Sequence, residues 1–85
     1  MIHAYKVENY SGSMEALAEE IGNLRYDALS NFLHLLAAKI SQDGDKDQSR
    51  GRVKLATHLH CCSTSLKAAQ NAIDKAWVIC EPYTI

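Results

Sequence analysis

The chain has 85 residues, of which 47% are hydrophobic and 22% charged, and its formal net charge is −1. This length allows a single domain with a small core, and the composition is that of a folded globular protein rather than a disordered chain. The near-neutral charge provides no general attraction to nucleic acid or to an anionic membrane surface.

The sequence predicts no targeting or membrane segment. The first ten residues lack the apolar centre of a signal peptide, and the most apolar run, residues 32–38, is far too short to span a bilayer. The chain has three cysteines, and an odd number does not indicate a disulfide framework. Cys62 and Cys80 would lie about 27 Å apart on one helix, which is too far for a disulfide. We therefore predict a protein of the reducing cytoplasm that has no membrane partner.

The first predicted elements are an arm and a long helix. Residues 1–12 carry apolar side chains at no helical spacing, which predicts a short extended arm or strand. Ser13 is a good N-cap for a first helix over residues 13–43. Within this helix Gly22 is the one residue that weakens the helical pattern.

The next predicted elements are a turn and a second long helix. Gly44 is placed to end the first helix, and residues 44–48 are rich in turn-forming side chains. The second helix is predicted over residues 49–81, where Pro82 stops it, and residues 82–85 form a tail. A short turn between two long helices makes them antiparallel neighbours.

The second helix carries a stripe of apolar residues that alternates steps of four and three. Such a stripe predicts the seam along which this helix packs against its neighbour, with small residues in one row allowing a close approach. The row of mostly small residues comprises Leu55, Cys62, Ala69 and Ala76, and the other row comprises Leu59, Leu66, Ile73 and Cys80.

The first helix is more apolar than one neighbour requires. Its apolar side chains spread over about 200° of the helix, whereas one packing partner needs a stripe of about 100°. The excess surface must contact something else. We predict an all-α fold in which two hairpins associate as a four-helix bundle, a homodimer or a higher homo-oligomer. The arm is expected to cap the bundle beside residues 77–80.

The sequence of residues 57–62, THLHCC, places four potential metal ligands within five positions. On a helix His58 and Cys62 lie one turn apart and Cys61 is within reach of His58, but His60 points away from Cys62. One turn thus offers three ligands at most, whereas structural zinc needs four. Packing is the commoner role of such a cysteine. We predict no cofactor, with a thiol or metal sensor built on His58, Cys61 and Cys62 as an alternative.

Arg25 falls inside the apolar arc of the predicted first helix and has no acidic residue three or four positions away. A turn near Gly44 would place residues 63–67 opposite it, and these also contain no carboxylate. Its partner is therefore expected from another chain or a ligand, unless the side chain extends outward to water. Together with His34, Arg25 defines the alternative of an enzyme whose site lies between subunits.

The remaining polar residues give no stronger hypothesis. Asp27, Ser30 and His34 share a helix face, but the spacing does not suit a catalytic triad. The basic residues of segment 50–54 have no interleaved aromatic residues and follow three acidic ones, so nucleic-acid binding is not favoured. The leading hypothesis is a non-enzymatic cytoplasmic interaction protein, an adaptor or regulator that acts as a homodimer.

Overall fold

The structure, a computed structural model, describes residues 3–83. Ile2 of the predicted arm and residues 84–85 of the predicted tail lie outside this range. Within it the chain forms α1 (Met14–Gly22), α2 (Tyr26–Ser49) and α3 (Val53–Cys80), followed by a short 3₁₀ helix at Glu81–Tyr83. The predicted all-α class is confirmed. Between residues 3 and 83 there is no strand, so the described part of the arm is irregular.

The predicted first helix is broken in two after Gly22. As predicted, Ser13 caps α1, and its Oγ accepts the N–H of Ala16 at 3.1 Å. Glycine and the asparagine that follows it are weak helix formers, and Arg25 adopts an extended conformation before α2 begins. The prediction of one continuous helix over residues 13–43 was therefore wrong.

The turn between the two long helices lies at residues 50–52 rather than at the predicted residues 44–48. α2 continues through Gly44 and ends at Ser49. Gly51 makes the turn with a φ of 80°, a conformation that glycine adopts at no steric cost. Both the predicted turn and the predicted start of the second helix at residue 49 were wrong, because packing against α3 keeps the weak helix formers around Gly44 helical.

Asp47, predicted to be a turn residue, instead lies buried in the last turns of α2. Its side chain is 7% exposed, and a carboxylate oxygen lies 3.3 Å from an Arg52 guanidinium nitrogen. Its backbone carbonyl accepts the N–H of Arg52 at 2.8 Å. A carboxylate buried to this extent needs such a charged partner, so the pair secures the turn.

α2 and α3 pack along their lengths as an antiparallel pair. Among the side-chain hydrogen bonds that join the two helices, Ser63 Oγ donates to the Ala37 carbonyl at 2.8 Å, and the Ser30 hydroxyl donates to Asp74. As the bonded residue on α2 advances from 30 to 37, its partner on α3 goes back from 74 to 63, so the two helices run antiparallel. The buried α2 positions 30, 37 and 44 are small and seven residues apart, so the two backbones approach closely.

The seam of α3 is rotated by one residue from the predicted seam. Ala56 and Ser63 are buried, whereas Leu55 and Cys62 are exposed. Polar Ser63 can occupy the seam because the carbonyl of Ala37 satisfies its hydroxyl. The predicted row of small residues was therefore wrong, while the other predicted row does border the seam and is part-buried: Leu59, Leu66, Ile73 and Cys80.

The arm is attached to α1 rather than to the end of α3. The Tyr10 hydroxyl donates to Glu20, a contact that raises the pKa of this hydroxyl. Tyr5 is 94% exposed. The predicted capping of residues 77–80 by the arm was therefore wrong, since the arm makes its side-chain hydrogen bond to α1. α1 itself has no buried residue.

The molecule is a single layer of helices. Its principal extents are 49 × 30 × 14 Å, and a helix with its side chains is about 10–12 Å across. The radius of gyration is 15.4 Å, against about 12 Å for a compact domain of this length. In the described range the buried apolar residues are Ala37 and Ala56, and no large side chain is fully buried. The large apolar side chains are thus left half covered.

Candidate functional site

The large apolar side chains of the helix pair collect on one side, which we call the apolar face. On each helix a row of apolar residues stands one position before the row of buried residues in the sequence. This apolar row begins at Leu29 on α2 and at Leu55 on α3. Because the helices are antiparallel, rows with the same offset flank the same side of the seam. The face comprises part-buried Leu29, Leu33, Leu36, Ile40, Leu59, Leu66 and Ile73, together with exposed Leu55, Cys62 and Ala69.

The opposite side of the helix pair is polar. It carries His34 and Ser41 from α2, and His60, Lys67 and Asp74 from α3. The Nε2 atom of His60 lies 2.9 Å from an Asp45 carboxylate oxygen. The two sides of the layer therefore differ in chemistry, and only the apolar one resembles an uncovered protein interior.

Arg25 finds its carboxylate within its own chain. Its Nε and one terminal nitrogen donate to the two carboxylate oxygens of Asp27 at 2.7 and 2.8 Å. The pair lowers the pKa of Asp27 and raises that of Arg25. The guanidinium carbon also lies 5.4 Å from the centroid of the Trp77 ring. The expectation of an external acid assumed a mid-helix position, whereas Arg25 precedes α2 and reaches an acid two residues on.

His34 does not line the cavity beside Arg25. His34 is exposed on the polar side of α2. The cavity beside Arg25 has a volume of 320 Å³ and is lined by residues 22–26, Trp77 and Cys80. The earlier placement of residues 63–67 opposite Arg25 was wrong because the turn lies at 50–52, which brings Trp77 there instead. An enzyme site built on Arg25 and His34 stays an untested hypothesis.

The potential ligands of the THLHCC sequence point in different directions. His58, Cys61 and Cys62 are all exposed, but Cys62 belongs to the apolar face and Cys61 lies about 100° further round the helix. His60 contacts Asp45 on the polar side. Across residues 3–83, no three potential ligands come together in a metal-binding arrangement.

Removing zinc is expected to leave the fold unchanged, because the stability of the helix pair comes from seam contacts and not from ligand bonds. Thermal melts with and without a strong chelator should coincide. A fall of more than about 10 °C would instead support the metal-sensor hypothesis, since about 1 kcal/mol shifts a domain of this size by 4–8 °C. If the metal-sensor hypothesis is correct, the variant His58→Ala should show the same fall in melting temperature without chelator.

The chain matches no known protein family, and neither a similar curated protein nor a similar solved structure was found. No helix in the described part of the chain has both the length and the apolar character needed to cross a membrane. The apolar face is the feature on which a functional argument can be built. The sequence indicated it through the excess apolar arc of the first helix but assigned all six of its α3 residues to the seam, of which the row of Leu55, Cys62 and Ala69 is exposed.

Proposed function

We propose that this protein is a non-enzymatic interaction protein, an adaptor or regulator, whose working form is a homodimeric four-helix bundle. The observation that carries the proposal is the apolar face, on which seven large aliphatic side chains are only part-buried. A second copy offers an equally apolar surface of the same length, and pairing by a two-fold axis is the commonest way to close such an interface.

The accessible surface area supports the proposal quantitatively. The chain exposes 6750 Å², whereas a compact folded monomer of 9.4 kDa exposes about 5,000 Å². The excess is about 1,700 Å² per chain, so a dimer that covers it buries about 3,400 Å² in total. This area falls within the range of obligate homodimers and is well above that of a transient contact.

The exposed thiols favour a reducing compartment for this dimer. Cys61 and Cys62 are adjacent and both exposed in the single chain. Exposed thiols in an oxidising compartment would be prone to oxidation and to cross-linking between chains. We therefore place the working dimer in the cytoplasm as part of the same proposal.

Sedimentation equilibrium at micromolar concentration is expected to give twice the chain mass of 9.4 kDa. Such a dimer should persist on dilution into the nanomolar range if the interface is of the obligate kind. A stable and fully folded monomer at micromolar concentration would contradict the four-helix bundle and the proposed function with it.

The adjacent cysteines provide a built-in test of which face is used. In the dimer, Cys62 should react with an alkylating reagent at least about tenfold more slowly than Cys61, because only Cys62 lies on the apolar face. The two rates should converge in denaturant. Equal rates in a dimer of proven mass would show that the copies associate through another surface.

A further inference from the structure

The charges of the molecule are divided along its long axis. The turn end, residues 38–65, carries five basic and three acidic residues, a net charge of +2. The rest of the chain, which includes α1 and the open end where α2 begins and α3 ends, carries four basic and seven acidic residues, a net charge of −3. The negative charge lies on residues 1–22, since the open end of α2 and α3 is itself neutral. The α1 carboxylates lie within about two turns of Gly22, which borders the open end beside Trp77. The molecule is therefore an electric dipole with a basic turn end and an acidic α1 joined to the open end.

The charges most available to a partner lie at opposite ends. At the turn end, Lys39 and Arg52 are already paired within the chain, with Asp43 and Asp47. The remaining turn-end cations and the α1 carboxylates lie on exposed residues and form no ion pair within residues 3–83: Lys46, Arg50 and Lys54 at the turn, and Glu15, Glu19 and Glu20 on α1.

α1 also has an apolar side that is only partly covered, by the arm. This helix is nine residues long and has no buried residue. Its apolar side includes Met14, which is 57% exposed, and part-buried Leu17. A helix of this length is unstable in water without tertiary packing. The turn end exposes apolar side chains of its own next to its cations, since Val53 is 60% exposed. An acidic amphipathic helix and a basic apolar surface are complementary.

We propose that the two copies associate antiparallel, so that the basic turn end of each copy lies against the acidic α1 of the other. The inference rests on the proposed dimer and adds its orientation. A parallel arrangement would place the two basic turn ends together and the two acidic α1 helices together. Antiparallel association brings unlike charges together, and they attract over distances up to the screening length of about 10 Å at 0.1 M salt. Such complementarity sets the register of an interface.

Zero-length carbodiimide cross-linking of the unmodified chain tests the orientation. Equal amounts of unlabelled and ¹⁵N-labelled protein are mixed, unfolded and refolded together, so that mass spectrometry can identify cross-links between chains. We expect links from Lys46 or Lys54 of one copy to Glu15 or Glu19 of the other. Links from Lys54 to Asp43 or Asp45 of the other copy would show a parallel dimer and overturn the inference, as would a dimer without interchain links.

Charge reversal provides an independent measurement. The double variant Arg50→Glu and Lys54→Glu should weaken dimerisation about tenfold at low salt, because each pair occurs twice across a two-fold axis. Adding Glu15→Lys and Glu19→Lys to the same chain should restore the original dissociation constant. The control Lys67→Glu, on the polar side and away from both ends, should leave it unchanged within about twofold.

The outcomes separate the orientation from the dimer itself. An unchanged dissociation constant in the double variant, or a failure of the fourfold variant to restore it, would overturn the antiparallel arrangement while the dimer stands. A wild-type chain that sediments as a monomer would instead overturn the proposed function.

Discussion

Replacing Leu36 with aspartate is expected to dissociate the dimer and to lower the free energy of unfolding by about 3 kcal/mol or more. Leu36 is part-buried on the apolar face of the single chain, and the proposed bundle covers it fully. The new carboxylate would lose its hydration at the interface without gaining a partner, so monomers are favoured. Sedimentation equilibrium and chemical denaturation measure the two effects.

The neighbouring residue provides a matched control. Leu35 is 59% exposed and lies on the side of α2 that faces away from both α3 and the apolar face. Leu35→Asp makes the same chemical change with the same helix propensity, but it should stay dimeric and change the stability by no more than about 0.5 kcal/mol. Similar behaviour of the two variants would show that the apolar face is not the interface.

Leucine in place of Gly44 is expected to cost about 3 kcal/mol and to lower the melting temperature by about 12–24 °C. A Cβ atom at this position would lie 2.6 Å from His60 Nε2, so the ring must move away from Asp45. The rest of the side chain would then force α2 and α3 apart. In a helix with free surroundings, replacing glycine should instead stabilise by up to about 1 kcal/mol, so the sign of the effect is diagnostic.

Gly22 provides the comparison, because a Cβ atom there meets nothing within 4 Å. Gly22→Leu is expected to leave the melting temperature unchanged or to raise it slightly, because Gly22 lies at the end of α1 and away from the α2–α3 seam. If Gly44→Leu proved equally harmless, residues 44–48 could not lie in the close contact between α2 and α3, and the turn would have to lie elsewhere.

The candidate site was predictable in kind but not in detail. The excess apolar arc of the first helix correctly indicated a surface that α3 cannot cover. The choice of Cys62 as a seam residue was wrong, because apolar character alone cannot distinguish a seam from its apolar flank. Polar Ser63 takes the seam position, and it does so only because the Ala37 carbonyl of another helix accepts its hydrogen bond.

Arg25 shows how one wrong helix boundary propagates. Treated as a mid-helix residue, it had no acid within reach and seemed to require a partner from outside. The structure places it before α2, where Asp27 is close enough for two hydrogen bonds. Spacing rules for side-chain pairs hold only inside regular helix, so the break after Gly22 decided the interpretation of this residue.

The sequence by itself determined those features that depend on neighbours along the chain. The all-α class follows from apolar periodicity over long segments, the start of α1 from the serine cap at Ser13, and the end of α3 from Pro82. Each of these predictions uses residues that are neighbours along the chain or lie on the same helix, so it requires no knowledge of contacts between helices.

Only the tertiary structure decided which glycine makes the turn. Gly44 and Gly51 are seven residues apart and have the same local preference, and helix propensities differ by only about 1 kcal/mol per residue. Turning at Gly51 buries Asp47 against Arg52 and brings the small residues of α2 against Ala56 and Ser63 of α3. These contacts are made between residues far apart in the chain. Their combined free energy outweighs the local cost of keeping Gly44 helical, and no local pattern contains that information.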